Sequence, residues 1–121
     1  IGDALNERGK SIKWAKVFIL GVAYKKNVSD FRESPAFEVI HFLRQKGATV
    51  SYSDPHVPSI KEGELFMKSV KLTPECLKKS DCVVIITDHA KYDYSLICQH
   101  ANLVLDTRNA IKAKSNKVVK L

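Results

Sequence analysis

The chain has 121 residues, 45% of them hydrophobic and 27% charged, with a formal net charge of +7 at pH 7. That length and apolar content suit one domain with one core, and no apolar run approaches the roughly 20 residues that span a bilayer, so no membrane insertion is expected. The positive balance would suit nucleic acid or any other anion, but Lys and Arg are spread along the chain and no aromatic-rich strand of the RNA-binding type accompanies them, which disfavours a nucleic-acid partner.

Residues 1–16 mix Asp3, Glu7, Arg8, Lys10 and Lys13 with few apolar positions. That is the wrong order for a secretory signal; the segment reads as the tail of a helix or linker arriving from elsewhere, and the location expected is cytoplasmic. Val17 to Leu20 then form a continuous apolar run, as do Val83 to Ile86 and Leu103 to Leu105. Unbroken runs of this length are expected of strands buried on both faces, hence of a parallel sheet.

Between the first two runs lies a strong helix signal. Ser34 is placed as N-cap, Pro35 at the first helical position and Gly47 just past the end, while Ala36, Val39, Ile40 and Leu43 follow the spacing of one buried face. Thr49 to Ser53 alternates before Asp54-Pro55 and predicts a strand nearer the sheet edge. Thr73-Pro74-Glu75 repeats the cap-then-proline pattern and opens a short helix through Lys79. Asp93 caps a third helix with Tyr94, Ile97, Cys98 and Ala101 on its apolar side, and Asn102 begins the last strand, ending near Asp106.

Strand and helix alternate throughout this reading, and the fold class expected is α/β: an open, doubly wound, mostly parallel Rossmann-like sheet with helices on both faces. Ligands in such sheets bind beyond the carboxyl ends of the strands, which directs attention to residues 21–32, 54–56, 88–89 and 106–108. The basic stretch Lys112, Lys114, Lys117 and Lys120 reads as a solvated terminus. Cys76, Cys82 and Cys98 form an odd set without CxxC spacing, which excludes a disulfide framework and a zinc site; Cys82 and Cys98 read as small core residues, and no metal is expected.

Gly21 begins a long connection that includes Tyr24, Lys25, Lys26, Asp30, Arg32 and Glu33. A dinucleotide fingerprint needs GxGxxG joined tightly to the helix, and here only Gly21 is present. Gly21 gives backbone room, Lys25 a mobile charge and Arg32 a planar fork suited to phosphate. A phosphoacceptor receiver module built on Asp54 would share the size and alternation, but it needs an acidic pair after the first strand, where this chain has Gly21 and Lys25.

Taken together, Leu20-Gly21-Val22-Ala23-Tyr24-Lys25, Asp30-Phe31-Arg32-Glu33-Ser34-Pro35, Tyr52-Ser53-Asp54-Pro55, Ile86-Thr87-Asp88-His89 and Leu105-Asp106-Thr107-Arg108-Asn109 resemble the carboxy-terminal UDP-binding domain of the UDP-glucose/GDP-mannose dehydrogenases. The resemblance covers about Lys16 to Lys112. It implies a larger enzyme in which N-terminal and central domains precede this one, with residues 1–15 as the end of the interdomain helix or linker and 16–121 as the UDP-sugar-binding domain. In that family the N-terminal Rossmann domain binds NAD and supplies a catalytic cysteine, and the C6 alcohol of the sugar is oxidised to a carboxylate in two NAD-dependent steps.

Carried over by position, Tyr24 and Lys25 match an aromatic-lysine pair near the nucleotide and ribose, Arg108 an arginine that reaches the substrate, and Arg32 an arginine that touches the NAD pyrophosphate. No catalytic residue is carried over, so this chain alone is expected to bind without turnover; a homodimer is implied for the full-length enzyme. Asp54 and Pro55 are expected to shape a turn, and Asp88 and His89 to be loop residues. The wording of Gly21 to Lys25, Arg32 to Pro35, Asp54 to Pro58 and Asp88-His89 is closer to the UDP-N-acetylhexosamine dehydrogenases than to the UDP-glucose branch, with GDP-mannose left open.

Overall fold

The computed structural model describes residues 13–22, 35–62, 65–87, 92–107, 111 and 117–120. In chain order these form β1 (Lys16–Leu20), α1 (Pro35–Gln45), β2 (Thr49–Ser53), β3 (Ser59–Glu62), β4 (Leu65–Lys68), α2 (Pro74–Lys79), β5 (Cys82–Ile85), α3 (Tyr94–His100), β6 (Val104–Asp106) and β7 (Val118–Lys120). Five strands make one sheet in the order β2-β1-β5-β6-β7, and every neighbouring pair is parallel.

The continuous apolar runs occupy the middle of this sheet because both of its faces are covered. Along β1, Val17 and Ile19 point into a cluster with Ala36, Phe37, Ile40 and Leu43 of α1. Phe18 and Leu20 point the other way, against Leu77 of α2 and Ile97 of α3. Strand β5 repeats the division, with Cys82 and Val84 on the α1 side and Val83 and Ile85 on the α2–α3 side. Phe18, Ile19 and Leu20 are fully buried, and each contributes roughly 1.5–3 kcal/mol by leaving water. One face alone could not bury such a run.

The described helix ends follow their sequence signals, while Ser34, the expected cap of α1, lies outside the described residues. Thr73 Oγ1 accepts the Cys76 N–H at 3.2 Å and Asp93 Oδ1 the Leu96 N–H at 3.1 Å, satisfying donors that a first turn leaves open. Gly47, with φ +90°, gives its N–H to Arg44 O just past α1, the left-handed termination that glycine favours. The outer face of α1 carries Glu38, Arg44 and Gln45 exposed, as its spacing predicts.

Three features depart from the sequence reading. First, the alternation of strand and helix is interrupted by an antiparallel hairpin, β3–β4, pairing Ile60 with Met67, which packs these two residues against the α1-side cluster. Second, Asn102 does not begin a strand: its side-chain amide donates to Lys78 O at 3.0 Å and Ser80 O at 2.9 Å, fastening the end of α2. Third, Lys117 and Lys120 are not simply part of a solvated tail. Residues 118–120 add β7 to the sheet beside β6, and Lys117 Nζ reaches Cys98 O and Gln99 O at 3.5 Å, where a cation complements the carboxyl end of a helix.

Candidate functional site

With β7 as its far edge, the sheet has the doubly wound order in which the direction of strand addition reverses between β1 and β5, the switch point where such folds open a crevice. The residues that leave the strands at this end are bound to one another. Ser53 O, at the end of β2, accepts both the Gly21 N–H at 3.0 Å and the Tyr92 hydroxyl at 2.8 Å. Tyr92 follows β5 in sequence, so its side chain links the β5–α3 connection to β2 across the end of β1.

Asp54, only 3% exposed, completes the tie. Its Oδ2 accepts the Val22 N–H at 2.8 Å and its Oδ1 the His56 N–H at 2.7 Å, and Ser69 Oγ bonds its backbone at 3.0 Å. The expected turn-shaping role is present in the bond from His56. The bond from Val22, 32 residues away in sequence, is what sequence alone did not reveal. With both oxygens engaged by main-chain donors, this carboxylate is a structural acceptor rather than an exposed phosphoacceptor.

Gly21 stands at the crossing, with φ +89°. A Cβ there would lie 2.6 Å from Thr87 Cβ and 2.7 Å from Thr87 O, so the expected backbone room is real: β1 and β5 close up at their carboxyl ends because this residue has no side chain. Further along, Thr107 gives its N–H and its hydroxyl to Ile85 O, and Asp106 Oδ2 accepts the Ile111 N–H at 2.9 Å. The ends of β2, β1, β5 and β6 therefore form one cross-linked platform. Beside it, a pocket of about 370 Å³ is lined by Ser53, Asp54 and Pro55, by Val70 and Lys71, and by the Tyr92 ring.

The titration of the buried groups supports a rigid rather than reactive platform. Burial, with the Asp54 charge second, pushes the Tyr52 phenol up to about 12 and raises Tyr92 further still. Burial likewise pushes the Cys82 thiol up to about 12 and raises Cys76 and Cys98, which disfavours the thiolate a nucleophile needs. Among the described residues, no three His, Cys, Asp or Glu side chains converge as metal ligands would. No described helix is long and apolar enough to cross a membrane.

A consequence follows for alkaline stability. Both phenols are held neutral when folded and ionise more easily when unfolded, so their contribution is complete below a pH of about 10 and disappears as pH rises through the folded-state values. Unfolding free energies measured in urea should therefore begin to fall near about pH 10 and decline steeply toward about pH 12, approaching about 1.4 kcal/mol per pH unit for each phenol. Tyr52→Phe should flatten that decline; an unchanged slope would show that Tyr52 does not carry it.

Tyr24, Lys25, Arg32 and Arg108 lie outside the described residues, as do Asp88 and His89. What the structure describes is the backbone they extend from: Val22 before the first group, Pro35 after it, and Thr107 and Ile111 on either side of Arg108.

Residues 18–113 match the model of the UDP-glucose/GDP-mannose dehydrogenase family, UDP binding domain. The chain belongs to this family. It is 39% identical over 116 residues to a UDP-N-acetyl-D-mannosamine dehydrogenase of Methanococcus maripaludis, covering 89% of this chain and 25% of that protein. A Ralstonia solanacearum NDP-N-acetyl-D-galactosaminuronic acid dehydrogenase is 28% identical over 116 residues, covering 93% and 27% respectively. The structure of a UDP-D-ManNAc dehydrogenase from Pyrococcus horikoshii superimposes with a TM-score of 0.76 at 24% identity, over 98% of this chain and 27% of that one, which supports the fold. The chain thus spans about a quarter of the length of the relatives it matches. The absence of GxGxxG after β1 is in keeping with a match to a UDP binding domain rather than to a dinucleotide-binding one.

Proposed function

We propose that this chain is the sugar-nucleotide-binding domain, residues 16–121, of an NAD-dependent dehydrogenase that oxidises the C6 alcohol of a UDP-hexose to a uronate, with residues 1–15 as the link to the N-terminal and central domains. The observation that carries the reading is the UDP-binding-domain match over residues 18–113, which falls on a sheet whose strand ends are cross-linked at the switch point. A UDP-N-acetylhexosamine is the favoured substrate: the two relatives above are named for N-acetylated sugars, in keeping with the motif wording.

On this reading Tyr24 and Lys25 contact the nucleotide and ribose, Arg108 reaches the sugar nucleotide and Arg32 the NAD pyrophosphate. Charge-assisted hydrogen bonds from such cations to phosphate are each worth about 1.5–3 kcal/mol. No GxGxxG joins β1, which ends at Leu20, to α1, which begins at Pro35, and a pyrophosphate seated at a helix N-terminus by a glycine fingerprint relies on such a tight join. NAD, which accepts the hydride in such enzymes, is held mainly by the N-terminal domain, and this domain closes over the substrate without turning it over alone. The full-length enzyme is a cytoplasmic homodimer that binds neither membrane nor nucleic acid.

Titrating the chain with UDP, UDP-N-acetylglucosamine, GDP and a DNA oligomer tests the reading. Saturable binding that prefers the uridine nucleotides is expected. Affinity for the DNA alone, falling steeply with salt, would replace it with a basic nucleic-acid module.

A further inference from the structure

The segment that leaves β4 runs along the outer edge of β2 and past its end. Val70 gives its N–H to Tyr52 O at 2.8 Å, Ser69 Oγ accepts the Asp54 N–H at 3.0 Å, and Thr73 caps α2 soon after. From the other side, Tyr92 is held by the bond from its hydroxyl to Ser53 O at 2.8 Å. The pocket of about 370 Å³ opens between these two walls. Because each wall is hydrogen-bonded to β2 itself, the sheet fixes their separation. Protein interiors otherwise pack without such openings, so this one is a built feature of the strand end.

The lining narrows what would fill it. Pro55, Val70, Leu72 and Tyr92 offer apolar faces, Ser69 and Asp54 polar groups, and Lys71 a cation on the exposed side. A hydrocarbon would cover the polar groups without replacing their water, and a sugar would leave the apolar walls unused. A planar heterocycle matches both, with apolar faces and an edge of donors and acceptors. The volume lies at the low end for small-ligand sites, about 300–1,000 Å³, so it suits a nucleoside and not a whole dinucleotide. Position agrees, since doubly wound sheets receive nucleotides beyond the carboxyl ends of their strands. We propose that this pocket seats the base of a nucleotide, with Lys71 meeting its phosphate. The inference deepens the sugar-nucleotide reading above and rests on it for the class of ligand, because every lining residue falls within the 18–113 match to a UDP binding domain. The uridine of the sugar nucleotide and the adenosine of the dinucleotide present the same chemistry to such a site, and the test separates them.

The test uses the chain with UDP and ADP, which differ only in the base, and reads affinity by calorimetry, melting temperature, and nuclear Overhauser contacts from the base protons. In the unaltered chain those contacts should reach the methyl groups of Val70 and Leu72. Val70→Phe, at a residue 40% exposed whose main-chain bond is kept, fills the pocket; it should weaken binding about 10-fold or more with the melting temperature unchanged. Lys71→Ala should weaken binding about 2- to 5-fold, and less as salt rises. It should leave the affinity for the corresponding nucleoside, which has no phosphate, as it was. Tighter binding of UDP assigns the pocket to the sugar nucleotide, and tighter binding of ADP assigns it to the adenine half of the dinucleotide.

If Val70→Phe does not fold, the base contacts in the unaltered chain decide alone. UDP bound with wild-type affinity by Val70→Phe, and without contacts to those methyl groups, would overturn the pocket while leaving the UDP-binding reading intact. Equal losses for nucleotide and nucleoside in Lys71→Ala would overturn the phosphate role of that lysine. Absence of binding of both nucleotides by the unaltered chain would remove the pocket and the reading together.

Discussion

Gly21→Ala is expected to destabilise the domain by about 3 kcal/mol, the sum of two separate costs. An L-residue at φ +89° gives up about 1–2 kcal/mol to the clash of its own Cβ with the backbone. The new methyl group would also lie 2.7 Å from Thr87 O and 2.9 Å from Thr87 N, and these are main-chain atoms of a neighbouring strand end, so relief requires β1 and β5 to part, at a cost of about 1–3 kcal/mol. In thermal unfolding this should appear as a fall of roughly 10 °C for a domain of this size. Gly47→Ala is the control: its φ is nearly the same, +90°, but the one tight contact of its Cβ would be the Lys13 side chain, at 3.1 Å from Cγ, with Lys13 Cα at an ordinary 3.7 Å. A flexible side chain can move aside, so the loss should stay near about 1 kcal/mol, the conformational cost alone. Equal losses in the two variants would show that the packing against Thr87 does not constrain the strand ends.

That comparison also marks how far the sequence could be read. Both glycines were visible as punctuation, one after a strand and one after a helix, but nothing local distinguishes a glycine that ends a helix in the open from one wedged beneath another strand. The sheet's interior was legible because burial on both faces leaves unbroken runs such as Val17 to Leu20, and α1 to α3 were legible because proline and capping residues mark their first turns. The β3–β4 hairpin was not, since only one side of a two-stranded ribbon meets the core. Ile60 and Met67 face inward, whereas Phe66, the largest apolar residue in the pair, is 57% exposed, which blurs the alternation. Strand β7 is three residues long and lies among lysines, so it gains its place from pairing with β6 rather than from its own pattern.

At the candidate site, the family motifs pointed to these strand ends but not to what joins them. The bonds from Tyr92 to Ser53 and from Val22 to Asp54 span 39 and 32 residues. Neither separation leaves a periodic trace. The resemblance singled out cations expected to meet a ligand, whereas the buried acceptors that tie the strand ends together looked, in the sequence, like ordinary turn residues.

Asp54 allows that distinction to be tested. Asp54→Ala should cost about 3 kcal/mol, because it strands two main-chain donors at once, Val22 N–H and His56 N–H, and each bond to a charged acceptor contributes about 1.5–3 kcal/mol, offset in part where His56 can find water. Asp54→Asn keeps one carbonyl oxygen but turns its amide toward a second donor, so it should recover about half of that loss and no more. The order wild type, Asp54→Asn, Asp54→Ala in urea midpoint is the expected outcome, and an Asp54→Ala variant as stable as the wild type would show that the carboxylate is dispensable. The larger effect should be local. Val22 opens the connection that contains Tyr24 and Lys25, and releasing it removes the one side-chain anchor described at that point. Amide hydrogen exchange at Val22 should therefore accelerate more in Asp54→Ala than at Leu20, whose strand pairing is untouched, because an opening confined to the strand end needs less free energy than unfolding of the sheet. Uniform acceleration along β1 would instead assign Asp54 to the stability of the whole domain and deny it a particular hold on the loop.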